Sequence, residues 1–130
     1  MPSRIRIILV DDNVLFRLAV RALLRLRDTM TVIAETADGE EAVRLASELT
    51  PDVVIIDVNL SGLISGIEAT RRITSASAPD HPRPLVIACS ASDAYQEPMA
   101  NAGAAGFVSK MHATQLPALI TSVMSRHRSH

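Results

Sequence analysis

Short apolar segments rich in β-branched residues alternate regularly with longer amphipathic segments along this chain. The apolar segments are Arg4–Val10, Thr31–Thr36, Val53–Val58, Leu85–Ser90 and Gly106–Ser109. Within most of them no polar residue alternates with the apolar ones, so the segments are predicted to be strands buried on both faces. Five strand–helix units of this kind predict a parallel sheet covered by helices on both sides.

Right-handed crossovers between such units give one doubly wound, five-stranded parallel sheet of the α/β class. The expected strand order is the flavodoxin-like one, 2-1-3-4-5, in which the carboxyl ends of strands 1 and 3 form the ligand site. The length of 130 residues fits a single domain.

The predicted helices differ in how clearly the sequence defines them. Asn13 is expected to cap the first helix. Its predicted apolar side is Leu15, Leu18, Ala19, Ala22, Leu23 and Leu26, opposite a solvated stripe of Arg17, Arg21 and Arg25. The second helix opens at Glu40 and stops at Pro51, the third covers about Ile67–Ser75, and the last covers Thr114–Arg126.

The segment Ala91–Ala102 is the least regular part of the pattern, because it contains Pro98. Proline disrupts a helix interior, so the fourth helix is expected to be short or irregular and to begin no earlier than Glu97. The segment Ala76–Pro84, with three prolines, is expected to be a surface loop.

Charge and composition narrow the classes of function. The net charge is −1, so the domain has no basic excess with which to bind nucleic acid directly. No apolar run approaches the roughly 18–20 residues that span a membrane. A single cysteine, Cys89, excludes an internal disulfide and a cysteine zinc cluster. These features predict a soluble, cytoplasmic domain without membrane contact.

Polar residues follow the apolar strands at their carboxyl ends. They are Asp11 and Asp12 after the first strand, Asp57 in the third, Ser90 in the fourth and Lys110 after the fifth. Three carboxylates against one ammonium leave a net charge near −2, which calls for a counter-ion. A hard divalent cation with oxygen ligands fits such a site, and Mg²⁺ is the expected cofactor. Lys110 is also the single lysine beside twelve arginines.

Four motifs in order resemble the response-regulator receiver domain of two-component signalling, over essentially all of residues 1–130. They are ILVDDN (8–13), PDVVIIDVNL (51–60), GIEATRRI (66–73) and AGAAGFVSK (102–110). The residues of these motifs are most similar to those of the subfamily usually joined to a C-terminal helix-turn-helix DNA-binding domain. The sequence is therefore expected to be a stand-alone or an excised receiver. Residues 127–130 are expected to be a frayed tail.

The resemblance implies a role for each matching residue. Asp57 corresponds to the phosphoryl acceptor, Lys110 to the lysine that pairs with the phosphoryl group, and Ser90 to the hydroxyl that binds a phosphoryl oxygen. Asp11, Asp12, Asp57 and the backbone carbonyl of Asn59 correspond to the Mg²⁺ ligands. Ser90 and Phe107 correspond to the switch pair.

The resemblance also implies partners and an activity. The phosphoryl donor is expected to be a sensor histidine kinase or a phosphotransfer protein, and a phosphorylation-linked homodimer is a further expected partner. The domain would phosphorylate itself and dephosphorylate itself with Mg²⁺, but it would not be a turnover enzyme.

Three departures from the family pattern concern the loops. The loop Asn59–Gly66 has Ser61 where proline is usual and one extra residue. The stretch from Ser90 to Lys110 is about two residues short, which predicts an atypical output surface. Met111 replaces the proline after Lys110, so a trans peptide bond is expected there.

Of three other functions, one remains open and two lack a residue or a loop that they would need. A pseudo-receiver that keeps the fold but is never phosphorylated is the main alternative. A haloacid-dehalogenase-like phosphatase would need an aspartate at the position of Asn59. A flavodoxin-like flavin or nucleotide site would need a phosphate-binding loop where Asp11 and Asp12 would repel phosphate.

Overall fold

A computed structural model describes residues 4–76 and 84–128. Its sheet has five parallel strands in the order β2-β1-β3-β4-β5, as predicted. The strands are β1 (Ile5–Val10), β2 (Met30–Thr36), β3 (Val53–Ile56), β4 (Leu85–Ser90) and β5 (Gly106–Ser109). The third strand therefore ends one residue before Asp57, two residues earlier than predicted.

Five α-helices connect and cover the strands. They are α1 (Val14–Leu24), α2 (Gly39–Leu49), α3 (Gly66–Ser75), α4 (Gln96–Asn101) and α5 (Leu116–Arg128), with 3₁₀ turns at Asp93–Tyr95 and Lys110–Gln115. Asn13 caps α1 as expected, since its side chain accepts a hydrogen bond from the Phe16 N–H. Helix α5 continues through two residues of the predicted frayed tail. The predicted loop at 76–84 lies mostly outside the described residues.

Helix α4 has six residues, which confirms that the fourth helix is short. The expected start was wrong by one residue, because α4 begins at Gln96. Pro98 is tolerated because it lies in the first turn, where a backbone N–H has no intrahelical acceptor to lose. Gly103 follows the helix with φ +111°, a conformation that favours glycine over other residues.

Alternate residues of each central strand pack into two different core layers. In β1, Ile7 and Leu9 face a layer formed with α1 and α5, whereas Ile8 and Val10 face a layer formed with α2, α3 and α4. The strands are apolar on both sides because helices cover both faces of the sheet.

The predicted orientation of α1 was wrong. Its buried residues are Val20 and Leu24, with Phe16 packed against the same layer, while Leu15 and Leu18 are 76% and 44% exposed. The arginine stripe is also only partly solvated. Arg17 Nε and Arg21 Nη1 pair with Glu35 on β2, at 3.3 and 2.6 Å from its carboxylate oxygens.

This orientation predicts unequal effects for two leucines of α1. Leu24→Ala removes a side chain that is 1% exposed and should lower the free energy of unfolding by about 2–5 kcal/mol. Leu15→Ala should change it by less than about 0.5 kcal/mol, because that side chain lies in solvent. Urea denaturation monitored by circular dichroism measures both values, and equal costs would contradict the orientation of the helix.

The atypical loop from Asn59 to Gly66 is anchored to the start of α2. The Ser61 N–H donates to the Ala37 carbonyl at 3.0 Å, and Ser61 forms an isolated parallel bridge with Asp38. The peptide bonds of the described residues are all trans, including the one before Met111. Among the helices of the same residues, none is both long and apolar enough to cross a membrane.

Candidate functional site

The carboxyl ends of β1 and β3 lie side by side because the strands are neighbours in register. Val10 pairs with Ile56, so the next residue of each strand, Asp11 and Asp57, lies at the same edge of the sheet. The Asp57 N–H donates to the Val10 carbonyl at 3.0 Å, which continues the strand pairing to the acidic residues.

Lys110 reaches both of these carboxylates from the end of β5. Its Nζ lies 2.8 Å from Asp11 Oδ2 and 3.0 Å from Asp57 Oδ2. Asp11 and Asp57 are 4% and 5% exposed, so all three charges lie largely out of solvent. The predicted convergence of acids and lysine at one edge of the sheet is therefore present in the fold.

Backbone N–H groups fix the second oxygen of each buried carboxylate. Asp11 Oδ1 accepts from the Asn13 N–H at 2.8 Å, and Asp57 Oδ1 accepts from the Val58 N–H at 2.7 Å. Hydrogen bonds to charged acceptors are stronger than those to neutral ones, so each carboxylate is held in one orientation.

Burial and charge pairing act on the site in opposite directions. Burial raises the pKa of Asp11, and the hydrogen bonds from Lys110 and Asn13 only partly offset it. For Lys110, burial acts to lower the pKa, but hydrogen bonds to Asp11 and Asp57 outweigh it and the pKa is raised. The lysine is therefore charged throughout the physiological pH range.

The acidic residues form a donor set suited to a hard cation. Oxygens of Asp11, Asp12 and Asp57 lie within 4.8 Å of one another. Asp12 is exposed, whereas the other two are buried, so the set is open to solvent on one side. Carboxylate oxygens with room for water match the preference of Mg²⁺.

The remaining predicted residues take up different positions. Ser90 ends β4, is 1% exposed, and accepts a hydrogen bond from the Ser92 N–H at 3.3 Å. Phe107 lies on β5 opposite Ala88 and packs, half-buried, against the core layer under α4. Asn59 is exposed two residues after Asp57.

Sequence reasoning missed three residues around this site. The Phe16 ring lies under the Lys110 ammonium, with Nζ 4.5 Å from the ring centroid. The Arg17 guanidinium donates to the Asp11 carbonyl. The backbone of Gly66 lies directly against that of Asp57. Phe16 and Arg17 lie in the first turn of α1, a few residues after Asp11 and Asp12 in the sequence. This position is a signal that could have identified these two residues.

The cysteine and the two described histidines lie in the core or at the surface. Cys89 is 1% exposed in the sheet, and burial raises the pKa of its thiol to about 12. His112 and His127 are exposed, whereas His81 and His130 lie outside the described residues.

The sequence matches known regulators over most of its length. It is 37% identical over 106 residues to the transcriptional regulatory protein LiaR of Bacillus subtilis, covering 82% of this chain and 49% of LiaR. It is 39% identical to the response regulator GacA of Pseudomonas viridiflava, covering 82% of this chain and 48% of GacA. The chain thus spans about half the length of these curated relatives.

Solved structures of response regulators also match this chain over most of its length. A two-component response regulator of the LuxR family from Aurantimonas superposes with a TM-score of 0.84 and 35% identity, over 95% of this chain and 86% of that one. The signal receiver domain of the putative response regulator NarL from Mycobacterium tuberculosis superposes with a TM-score of 0.80 and 28% identity, over 95% and 98% of the two chains.

The family model for the response regulator receiver domain matches residues 7–121. That range contains both buried aspartates, the exposed Asp12 and Lys110, which the fold brings together. The chain belongs to the response regulator receiver domain family.

Proposed function

We propose that this domain accepts a phosphoryl group on Asp57 from a histidine-bound donor in a Mg²⁺-dependent step. The observation that carries the proposal is the position of the Asp57 carboxylate. It is buried directly after β3, 3.0 Å from the Lys110 ammonium and within 4.8 Å of oxygens from Asp11 and Asp12.

In the proposed reaction a carboxylate oxygen of Asp57 attacks the phosphorus of a phosphohistidine. A P–O bond forms and the P–N bond breaks, so the histidine nitrogen keeps the electron pair and takes up a proton. Lys110 offsets the negative charge of the phosphoryl group during transfer, as cationic side chains do in phosphoryl-transfer sites. The Val58 N–H keeps the carboxylate oriented.

Asp11, Asp12 and Asp57 are the proposed side-chain ligands of Mg²⁺, with the Asn59 carbonyl as a backbone ligand. The bound ion would neutralise charge on the transferring phosphoryl oxygens. Asp12 is suited to admit the ion because it is the exposed member of the set, whereas Asp11 and Asp57 are buried and already paired with Lys110.

We further propose that Ser90 and Phe107 transmit the change. The Ser90 hydroxyl lies at the same sheet edge and would donate to a new phosphoryl oxygen. Its movement would free space for the half-buried Phe107 ring, which packs toward α4. A covalent change at Asp57 would thereby bias two arrangements of one surface.

The proposed partners follow from this chemistry. A sensor histidine kinase or a phosphotransfer protein supplies the phosphoryl group in the cytoplasm, and a second copy of the chain binds after phosphorylation. The fourth helix, α4, has six residues, and we propose that the output surface beside β5 is atypical for the family. The domain turns over no substrate other than its own acyl phosphate.

Intact-mass spectrometry after incubation with acetyl phosphate tests the proposal. With MgCl₂ we expect a gain of one phosphoryl mass, and with EDTA we expect none, because three clustered carboxylates repel an incoming phosphate. Hydroxylamine should remove the added mass, since it cleaves an acyl phosphate and leaves a serine or threonine ester intact.

Two results would contradict the proposal. The absence of added mass with MgCl₂ would favour a pseudo-receiver that keeps the fold and binds partners without phosphorylation. Added mass that survives hydroxylamine would place the phosphoryl group on a hydroxyl side chain.

A further inference from the structure

The Lys110 ammonium contacts three side chains, of which two are charged carboxylates and one is an uncharged aromatic ring. Its Nζ contacts one oxygen each of Asp11 and Asp57, at 2.8 and 3.0 Å. The third contact is the face of the Phe16 ring, whose centroid lies 4.5 Å from Nζ. This distance is within the range of a cation–π interaction.

We propose that Phe16 is a positioning residue that holds the Lys110 ammonium against the two buried aspartates. The inference rests on the proposed function, because it assigns Phe16 an effect on phosphorylation of Asp57. Phe16 itself would touch neither the phosphoryl group nor the metal.

An aromatic ring suits this place for an electrostatic reason. The site already holds three clustered carboxylates, two of which contact the ammonium, and a further acid would raise the repulsion within it. The negative face of a phenyl ring attracts the ammonium without adding a formal charge. The ring also covers the lysine, whose side chain is 21% exposed.

Hydrogen bonds at the start of α1 tie the backbone of Phe16 to Asp11 through Asn13. The Phe16 N–H donates to the Asn13 side chain at 3.0 Å, and the Asn13 N–H donates to Asp11 Oδ1 at 2.8 Å. The Phe16 side chain packs against the core layer under α1 and α5. The backbone at Phe16 is therefore tied to Asp11, and core packing holds the side chain that the Lys110 ammonium contacts.

Nuclear magnetic resonance can observe this contact directly because the chain contains one lysine. Protein labelled with ¹³C,¹⁵N-lysine gives a single set of side-chain signals. In the unmodified protein we expect the Lys110 Hε protons to be shifted upfield by the ring current, with nuclear Overhauser contacts to the Phe16 ring protons. The absence of both would overturn the proposal without the need for any variant.

Two substitutions at Phe16 distinguish the effect of the aromatic ring from the effect of an apolar side chain in the core. Phe16→Leu keeps an apolar side chain in the core but removes the ring, and Phe16→Tyr retains the ring. We expect Phe16→Leu to abolish the upfield shift and to slow phosphorylation by acetyl phosphate by about two- to fivefold. Phe16→Tyr should preserve the shift and most of the rate, and Leu15→Ala, an exposed neighbour, should leave both unchanged.

An unchanged rate in Phe16→Leu, or equal losses in Phe16→Leu and Phe16→Tyr, would overturn the proposal. Its failure is distinguishable from failure of the proposed function. If the unmodified protein gains no phosphoryl mass, the phosphoacceptor role fails, while the lysine signals still decide whether Phe16 holds Lys110.

Discussion

Asp57→Asn should abolish the gain of phosphoryl mass from acetyl phosphate and MgCl₂. An amide lacks the anionic oxygen that attacks phosphorus, and among the described residues Asp57 is the one carboxylate that contacts both Lys110 and the Val58 N–H. The variant should fold, because the asparagine carbonyl can still accept from the Val58 N–H and Lys110 keeps its contact with Asp11. Intact-mass spectrometry and circular dichroism measure the two properties.

Asp28→Asn is the matched control for this substitution. Asp28 is an exposed aspartate in the connection between α1 and β2, at the opposite end of the sheet from Asp57. The Asp28→Asn protein should gain phosphoryl mass at the same rate as the unmodified protein. Equal labelling of Asp57→Asn and the unmodified protein would place the acceptor elsewhere.

Gly66→Ala should be among the most destabilising single substitutions in the chain. A Cβ at Gly66 would overlap the Asp57 carbonyl oxygen and would lie 2.7 Å from the carbonyl carbon. These are backbone atoms, which cannot rotate away, and Gly66 is also held by a hydrogen bond from its N–H to the Val58 carbonyl at 2.8 Å. We expect a loss of at least about 3 kcal/mol in the free energy of unfolding, the upper end for overpacking.

The loss would also reach the site, because relief of the clash has to move the start of α3 or the backbone of Asp57. Phosphorylation by acetyl phosphate should therefore fall in any Gly66→Ala protein that still folds. Gly106→Ala is the matched control, since its Cβ would meet only side-chain carbons at 3.5 Å or more. It should cost less than about 1 kcal/mol in urea denaturation. Equal costs for the two glycines would contradict the close approach at Gly66.

The strands and the acidic residues at their ends could be predicted from local patterns, and the strand order could be predicted from right-handed crossovers between strand–helix units. Strands buried on both faces must be apolar, and polar residues mark where such strands leave the core. Asp11, Asp57 and Lys110 directly follow or end these segments, so the sheet topology alone brings them together.

The orientation of α1 could not be read from its sequence in the same way. Apolar residues occur all around this helix, so helical periodicity does not single out one buried face. The side with Leu15 and Leu18 and the side with Val20 and Leu24 are both apolar, and only the latter packs on the sheet. The crossover from β1 to β2 decides between them.

The amino-acid sequence by itself determined which segments form strands, their order, and which charged groups meet at their carboxyl ends. The tertiary structure alone decided that Phe16 lies beneath Lys110, that Arg17 pairs with Glu35, and that Gly66 lies against Asp57. The physical reason is the range of the contacts. The burial of a strand and the polarity of its end depend on a few neighbouring residues. The contacts of Phe16, Arg17 and Gly66 depend on how separate helices and strands pack together.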